Sequence, residues 1–257
     1  MKKCEKIELF GVKIDNLSKG LAVERALHSD EPTCRVVTPN AVMLDACRRD
    51  PALAELLRSA TLSLADGMGV LLLARRQGTP LCERVAGIDF AEALLARAAQ
   101  DGLRVFLLGG AQGVAEAAAK RLSVRYPALC ICGTHHGYFA SSNEDAAVTA
   151  EICASKADIL FVCMGFPRQE SWIAAHLSQL ANVRVAVGLG GSIDVWAGRV
   201  KRAPRVLSKI GLEWAWRMIL EPKRLLVLPA LIRTVLYLPP HRAYDLPQKE
   251  EKPNRNA

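Results

Sequence analysis

The chain alternates between short runs of apolar residues and longer segments in which apolar residues recur every three or four positions. Short, continuous apolar runs are typical of buried strands, whereas the longer spacing is typical of amphipathic helices. Strands are predicted at residues 7–12, 35–37, 62–65, 104–108, 129–132, 158–163 and 183–187. Because strands and helices alternate, we predict an α/β fold in which a Rossmann-like parallel sheet is covered by helices on both faces.

The C-terminal segment differs from the rest of the chain in charge. Between residues 199 and 233, nine Lys or Arg accompany two Glu, a net charge of +7 in a chain whose total is +8. We therefore predict an α/β catalytic core at 1–198, a basic, amphipathic and helical appendage at 199–245, and a disordered tail at 246–257. The charge indicates an anionic partner, which is nucleic acid, a phospholipid surface or a diphosphate.

The apolar residues of this appendage favour a membrane surface. The run at 225–238 includes Pro229 and Arg233 and is shorter than the ~20 apolar residues that a membrane span needs. Trp214 and Trp216 lie among the arginines, as in segments that rest in the membrane interface. The N-terminal apolar run is too short and too charged for a signal peptide. We expect a cytoplasmic protein, bound peripherally to the inner face of the cell membrane.

The chain lacks the residue patterns that commonly bind metals. Its eight cysteines are scattered without a CxxC pair, and no Asp-x-Asp pair occurs. Reduced thiols are therefore predicted rather than a metal centre, and no carboxylate pair is available to hold a divalent ion against a diphosphate. The adjacent His135 and His136 are expected to point apart and to serve structural or surface roles. We predict neither a metal nor a cofactor.

Polar residues stand where two of the predicted strands end. Thr38 and Asn40 follow one strand and Asp66 follows the next. In an open parallel sheet, ligands bind outside the carboxyl ends of the strands, so these side chains are expected to line the crevice. Gly67 lets the chain turn tightly behind Asp66. Asp66 is the residue predicted to perform the chemistry.

Glycine-rich turns follow two later strands. The turn Gly109-Gly-Ala-Gln-Gly113 could offer N–H groups to a phosphate, but a generic tight turn fits equally well. It departs from the GxGxxG fingerprint of nicotinamide sites. The turn that carries Gly188, Gly190 and Gly191 favours close approach of the backbone to a ligand. Without a metal, a diphosphate would be stabilised by Arg84, Arg168, Gln169 and the late arginines.

Several motifs, taken in order, resemble one enzyme family. They are Thr38-Pro-Asn40, Ala65-Asp-Gly-Met-Gly69, Glu83-Arg-Val-Ala-Gly-Ile-Asp89, Phe106-Leu-Leu-Gly-Gly110, Thr134-His-His-Gly-Tyr-Phe139, Gly165-Phe-Pro-Arg-Gln-Glu170, Gly188-Leu-Gly-Gly191, Gly198-Arg-Val-Lys-Arg-Ala-Pro204, Glu213-Trp-Ala-Trp-Arg217 and Glu221-Pro-Lys-Arg224. Across roughly residues 7–224 the chain resembles the WecG/TagA/CpsF glycosyltransferase family.

The resemblance implies an inverting, metal-independent glycosyltransferase. It would move a hexose or N-acetylhexosamine, of the ManNAc, ManNAcA or glucose type, from a UDP-sugar to a polyprenyl-diphosphate-linked sugar in bacterial cell-surface polysaccharide or teichoic acid synthesis. The family's active-site residues fall on Asp66 and Thr38 as the catalytic pair and on Asn40, Arg84, Gln169, Arg217 and Arg224 as substrate-binding residues. The glycines 109, 165, 188, 190 and 191 complete the expected binding site.

Two other classes of protein remain alternatives. A nicotinamide-dependent dehydrogenase would share the fold class, although the chain lacks its fingerprint. A nucleic-acid-binding protein would explain the basic appendage but not the apolar run within it, so we expect an anionic membrane surface and no nucleic acid. A homo-oligomer is compatible with the sequence, which does not decide the oligomeric state.

Overall fold

A computed structural model describes residues 6–139, 141–204, 207 and 216. Its strands are β1 (Lys6–Leu9), β2 (Val12–Asp15), β3 (Cys34–Val37), β4 (Leu62–Ser63), β5 (Arg104–Gly109), β6 (Cys130–His135), β7 (Ile159–Cys163) and β8 (Val185–Gly188). Its helices are α1 (Lys19–Leu27), α2 (Ala41–Arg49), α3 (Pro51–Arg58), α4 (Met68–Arg76), α5 (Gly87–Asp101), α6 (Val114–Arg125), α7 (Ser142–Ala154), α8 (Arg168–His176) and α9 (Ser192–Trp196).

Six of these strands form one sheet in the order β4-β3-β8-β7-β5-β6. Every neighbouring pair is parallel, which confirms the predicted parallel α/β sheet. All six carboxyl ends therefore lie at one edge. The segments after β3, β4, β7 and β8, which carry most of the predicted site residues, meet there.

The alternation of side chains along the strands divides the core into two faces. On β5, Val105 and Leu107 pack with α1, α5, α6 and α9. The intervening Phe106 and Leu108 pack on the opposite face with α7 and α8. A third cluster packs β1, β2, α2, α3 and α4 beside the end of β3. Helices therefore cover both faces of the sheet, as the pattern predicts.

The single strand predicted at 7–12 is wrong. The structure has an antiparallel hairpin of β1 and β2, separate from the parallel sheet. Phe10 and Gly11 both have positive φ angles, of 50° and 76°, which suits the two-residue turn that best matches the twist of a hairpin. The apolar run continues through this turn, so periodicity alone did not reveal it.

The predicted appendage and tail lie mostly outside the described residues, and the division at 198 remains a prediction. Of the appendage, the structure describes 199–204, 207 and 216. The indole N–H of Trp216 donates to the Lys201 carbonyl at 3.3 Å. No helix in the part of the chain that the structure describes is long and apolar enough to cross a membrane.

Candidate active site

Thr38, Asp66 and Gly188 come together at the carboxyl edge of the sheet. The Thr38 hydroxyl, 7% exposed, donates to the Gly188 carbonyl at 3.4 Å. The Asp66 N–H donates to the Pro39 carbonyl at 3.0 Å, which ties the end of β4 to the end of β3. Three predicted site residues from three strands therefore line one crevice.

The N-terminus of α5 fixes the Asp66 carboxylate. The Gly87 N–H donates to Asp66 Oδ2 at 3.3 Å. A Cβ atom at Gly87 would lie 3.0 Å from the Thr38 hydroxyl oxygen, so a side chain there would crowd Thr38. A helix N-terminus is a favourable place for a carboxylate because the N–H groups and the helix dipole both attract negative charge. Sequence reasoning missed Gly87, although it lies in a motif that supported the family resemblance.

Open space adjoins this crevice at three glycines. Cβ atoms built on Gly67, Gly165 and Gly190 would meet nothing within 4 Å, and all three residues have positive φ angles. The backbone is thus exposed beside Asp66 and in the loops after β7 and β8, as expected for close approach of a ligand. Gly191 follows directly and caps α9 without a side-chain hydrogen bond.

Gln169 joins the two glycine loops. Its Oε1 accepts the Gly165 N–H at 3.1 Å and the Gly190 N–H at 2.8 Å. Its Nε2 donates to Glu170 Oε1 at 2.8 Å. The side chain is 4% exposed, and a Cβ at Gly188 would lie 2.6 Å from Nε2. Gln169 is therefore a buried residue that holds the two glycine loops together, a role that the sequence did not predict.

Glu170 and Arg35 are two buried ionisable side chains that influence each other's charge near these loops. They are 1% and 3% exposed, and Arg35 donates to the Leu56 carbonyl and the Ser59 hydroxyl. Burial raises the pKa of the Glu170 carboxyl, while Gln169 and Arg35 oppose that rise. Burial lowers the pKa of Arg35, opposed by Glu170. An arginine within an apolar strand was the signal in the sequence that could have revealed these buried ionisable groups.

Asn40 has a structural task in addition to its predicted one. It is the N-cap of α2, and its Oδ1 accepts the N–H groups of Val42 and Met43 at 3.0 and 3.1 Å. Ser, Thr, Asn and Asp are preferred at this position because they satisfy such N–H groups. The Nδ2 amide is the group of Asn40 that could contact a ligand.

Packing alone accounts for Gly109. Its φ is +140°, and a Cβ there would lie 2.3 Å from the Cys163 carbonyl oxygen at the end of β7. The next residue, Gly110, donates its N–H to that same oxygen at 3.1 Å. The sequence left open whether Gly109 serves a tight turn or a nucleotide contact. The close approach to Cys163 explains the glycine by the turn, and a nucleotide contact is not required to explain it.

Arg84 lies in the segment that runs beside Asp66. The neighbouring Val85 N–H donates to the Ala65 carbonyl at 2.9 Å. Arg84 Nη2 lies 3.6 Å from Asp89 Oδ2, and Asp89 also pairs with Arg202. The Arg84 side chain is 16% exposed, and its segment is hydrogen-bonded to the chain directly before Asp66.

The two histidines do not point apart as expected. Their ring centroids are 4.4 Å apart, and His136 Nε2 lies 3.7 Å from Glu144 Oε1. Among the described residues, His135, His136 and Glu144 bring candidate metal-ligating atoms within 4.8 Å of one another. However, His136 Nδ1 accepts the Tyr138 N–H at 3.3 Å, which places the ring proton on Nε2, where it faces Glu144. The cluster thus fits a His–Glu contact and lies at the β6 edge, opposite β4 and Asp66.

Two residues after His136 lies an exposed aromatic residue, Tyr138, which contacts a cation. Tyr138 is 68% exposed, and the Arg168 guanidinium carbon lies 5.9 Å from its ring centroid. Arg168 is the first residue of α8, directly before Gln169. The predicted Arg217 and Arg224 lie outside the described residues.

This arrangement is that of an α/β protein whose candidate ligand site lies at the carboxyl edge of its sheet and includes the Asp66 carboxylate and two glycine loops. The pattern of the WecG/TagA/CpsF glycosyl transferase family matches residues 7–239. The chain therefore belongs to that family and is a glycosyltransferase.

Named relatives agree with this assignment. Two N-acetylglucosaminyldiphosphoundecaprenol N-acetyl-beta-D-mannosaminyltransferases, from Staphylococcus aureus strains MRSA252 and NCTC 8325 / PS 47, are each 36% identical to the chain over 224 residues. The aligned region covers 86% of this chain and 87% of each relative. The similarity therefore extends over nearly the whole length of both proteins.

The raised pKa of Glu170 predicts a pH-dependent contribution to stability. The folded state holds the Glu170 proton more tightly than the unfolded state, whose value is near 4.5. Stability from this group is present at low pH and is lost as pH rises through the raised pKa. The unfolding free energy of Glu170→Gln, measured by urea titration relative to wild type, should therefore increase with pH. Glu151→Gln, at an exposed position of α7, is the control, and a pH-independent difference for Glu170→Gln would contradict the prediction.

Proposed function

We propose that the protein transfers an N-acetylmannosaminyl group from a UDP-sugar to a polyprenyl-diphosphate-linked N-acetylglucosamine, with inversion at the anomeric carbon. The acceptor and the sugar are supported by the names of the relatives that are 36% identical over most of the chain. The observation that carries the chemistry is the Asp66 carboxylate, which accepts a hydrogen bond from the Gly87 N–H at the candidate site. The product would serve bacterial cell-surface polysaccharide or teichoic acid synthesis.

Inversion requires one displacement at the anomeric carbon. In this proposal Asp66 takes the proton from the acceptor hydroxyl as that oxygen attacks, and UDP leaves from the opposite face of the sugar. One base is enough, because no covalent intermediate forms. The hydrogen bond from Gly87 leaves the carboxylate little freedom to rotate, which favours a fixed direction of attack.

The remaining residues bind and orient the donor. Thr38 and the Nδ2 amide of Asn40 contact sugar hydroxyls. Gln169 holds the two glycine loops in place, so that the backbone at Gly165, Gly188, Gly190 and Gly191 borders the sugar and nucleotide. The turn at Gly109 lies along the same edge. The exposed Tyr138 and Arg168 offer a surface for the nucleotide, since aromatic and guanidinium planes both stack on bases.

The negative charge that develops on the leaving diphosphate needs cations. Arg84 is a candidate among the described residues, because its segment is hydrogen-bonded to the strand end that carries Asp66. Arg217 and Arg224 are proposed to complete the site from the appendage. Arginine suits this role because its planar guanidinium can bind phosphate oxygens in pairs.

Asp66→Asn should preserve the fold and UDP binding but lower turnover by about two to four orders of magnitude, the usual contribution of a positioned general base. Product formation is measured with a panel of UDP-sugars and a lipid-diphosphate-linked N-acetylglucosamine acceptor. Asp30→Asn, at an exposed loop position, is the control. Near-normal turnover of Asp66→Asn would remove Asp66 from the mechanism, and a wild-type protein that uses none of these donors would contradict the proposed function.

Transfer should persist in excess EDTA, because arginines and backbone N–H groups are proposed to stabilise the diphosphate in place of a divalent ion. His136→Ala serves as a second arm, since it disrupts the described cluster with metal-ligating potential and should leave the rate unchanged. Loss of transfer in EDTA that magnesium or manganese restores would refute metal independence.

The full-length protein should bind vesicles that contain phosphatidylglycerol more tightly than vesicles of phosphatidylcholine, because the appendage carries a net charge of +7 between residues 199 and 233. Binding should weaken as salt concentration rises. Sedimentation with vesicles is compared with binding to duplex DNA at the same salt. Tighter binding to DNA, or equal binding to both kinds of vesicle, would rule out an anionic membrane surface as the partner.

A further inference from the structure

Asp89 joins two arginines that come from distant parts of the chain. Its Oδ2 lies 3.6 Å from Arg84 Nη2, and its Oδ1 accepts a hydrogen bond from Arg202 Nη2. The side chains of Arg84, Asp89 and Arg202 are 16%, 28% and 28% exposed, so solvent screens these ion pairs less than it would at the open surface. Asp89 lies in the first turn of α5, which begins at Gly87.

Arg202 also reaches the next turn of α5. Its Nη1 lies 3.4 Å from Glu92 Oε2, so one guanidinium spans both acidic residues on this face of the helix. Glu92 has a second partner in Arg125, which binds it through two nitrogens at 2.9 and 3.1 Å. Arg202 therefore fastens the beginning of the C-terminal segment to the helix whose N-terminus holds Asp66.

The shared carboxylate has an electrostatic consequence for Arg84. If Asp89 paired with Arg84 alone, the two charges would largely cancel and the guanidinium would be drawn away from an approaching diphosphate. Because Arg202 takes one oxygen of Asp89, two cations share that carboxylate. The network that these contacts form contains three arginines (Arg84, Arg202 and Arg125) and two carboxylates (Asp89 and Glu92), which gives it a net charge of +1. Arg84 can then offer positive charge to an anion.

We propose that Arg202 and Asp89 are positioning residues that keep the Arg84 guanidinium available for the diphosphate of the donor. This inference rests on the proposed function, in which Arg84 binds that diphosphate. A donor that draws Arg84 away from Asp89 leaves Asp89 to Arg202, so donor binding also tightens the attachment of the C-terminal segment. Such coupling is reciprocal, because each event changes the free energy of the other by the same amount.

Arg202→Ala should raise the dissociation constant for UDP by about 3- to 10-fold, the range expected for a partly buried ion pair coupled to a binding site. Isothermal titration calorimetry with the full-length protein measures it, and thermal unfolding verifies that each variant is folded. Arg202→Lys retains a cation beside Asp89 and should keep most of the affinity. Arg125→Ala is the matched control, because it removes an arginine from Glu92 without touching Asp89, and its effect should stay below about twofold.

A double-mutant cycle separates positioning from general structural damage. On an Arg84→Ala background, Arg202→Ala should cause no further loss of UDP affinity, because the group that it acts through is gone. An additive loss, or equal losses for Arg125→Ala and Arg202→Ala, would overturn the inference. If the wild type fails to bind UDP, the proposed function is wrong and this inference falls with it. If the wild type binds UDP and Arg202→Ala binds it equally well, only the positioning role is wrong.

Discussion

The hydrogen bond from the Gly87 N–H to Asp66 sets the geometry on which the crevice depends. It requires α5 to begin against the end of β4, and it requires a glycine at that position, because a Cβ atom would crowd Thr38. A carboxylate at a helix N-terminus is favourable without any further cation. The N-terminus of α5 therefore contributes to holding the candidate base in place at the end of β4.

The opposite side of the candidate site depends on a buried amide and on the buried carboxyl group that it contacts. Gln169 holds the Gly165 and Gly190 N–H groups together, and its own orientation is fixed by Glu170. Burying Glu170 is unfavourable for its charged form, and Arg35 offsets only part of that cost. The buried Glu170 has a structural use, because it holds Nε2 of Gln169. Without that hydrogen bond the Gln169 amide could rotate and release the Gly165 and Gly190 loops. The glycine loops are exposed to ligand, yet their rigidity comes from residues that a ligand cannot reach.

The sequence predicted the parallel sheet and the edge at which the site lies, because apolar runs ending in Thr38 and Asp66 are local signals. It did not predict the hairpin of β1 and β2, whose apolar pattern continues across the turn at Phe10 and Gly11. It also missed the convergence of His135 with His136, and the pairing of Asp89 with Arg202, because those contacts depend on how distant segments pack. Side-chain type located the candidate base, whereas the residues that orient it could be recognised only in three dimensions.

The distribution of charge at the candidate site bears on where the protein would be active. Thr38, Asn40 and Gln169 are uncharged and Asp66 is an acid, while Arg84 shares Asp89 with Arg202. Among the described residues Arg84 is a candidate cation for the diphosphate, and further arginines would strengthen its binding. Under the proposed function, the remaining cations come from the basic segment that begins beside Arg202, and that segment is also the part of the chain suited to an anionic membrane. The site would then reach its full positive charge where the lipid-linked acceptor is present, which would limit unproductive hydrolysis of the donor in solution.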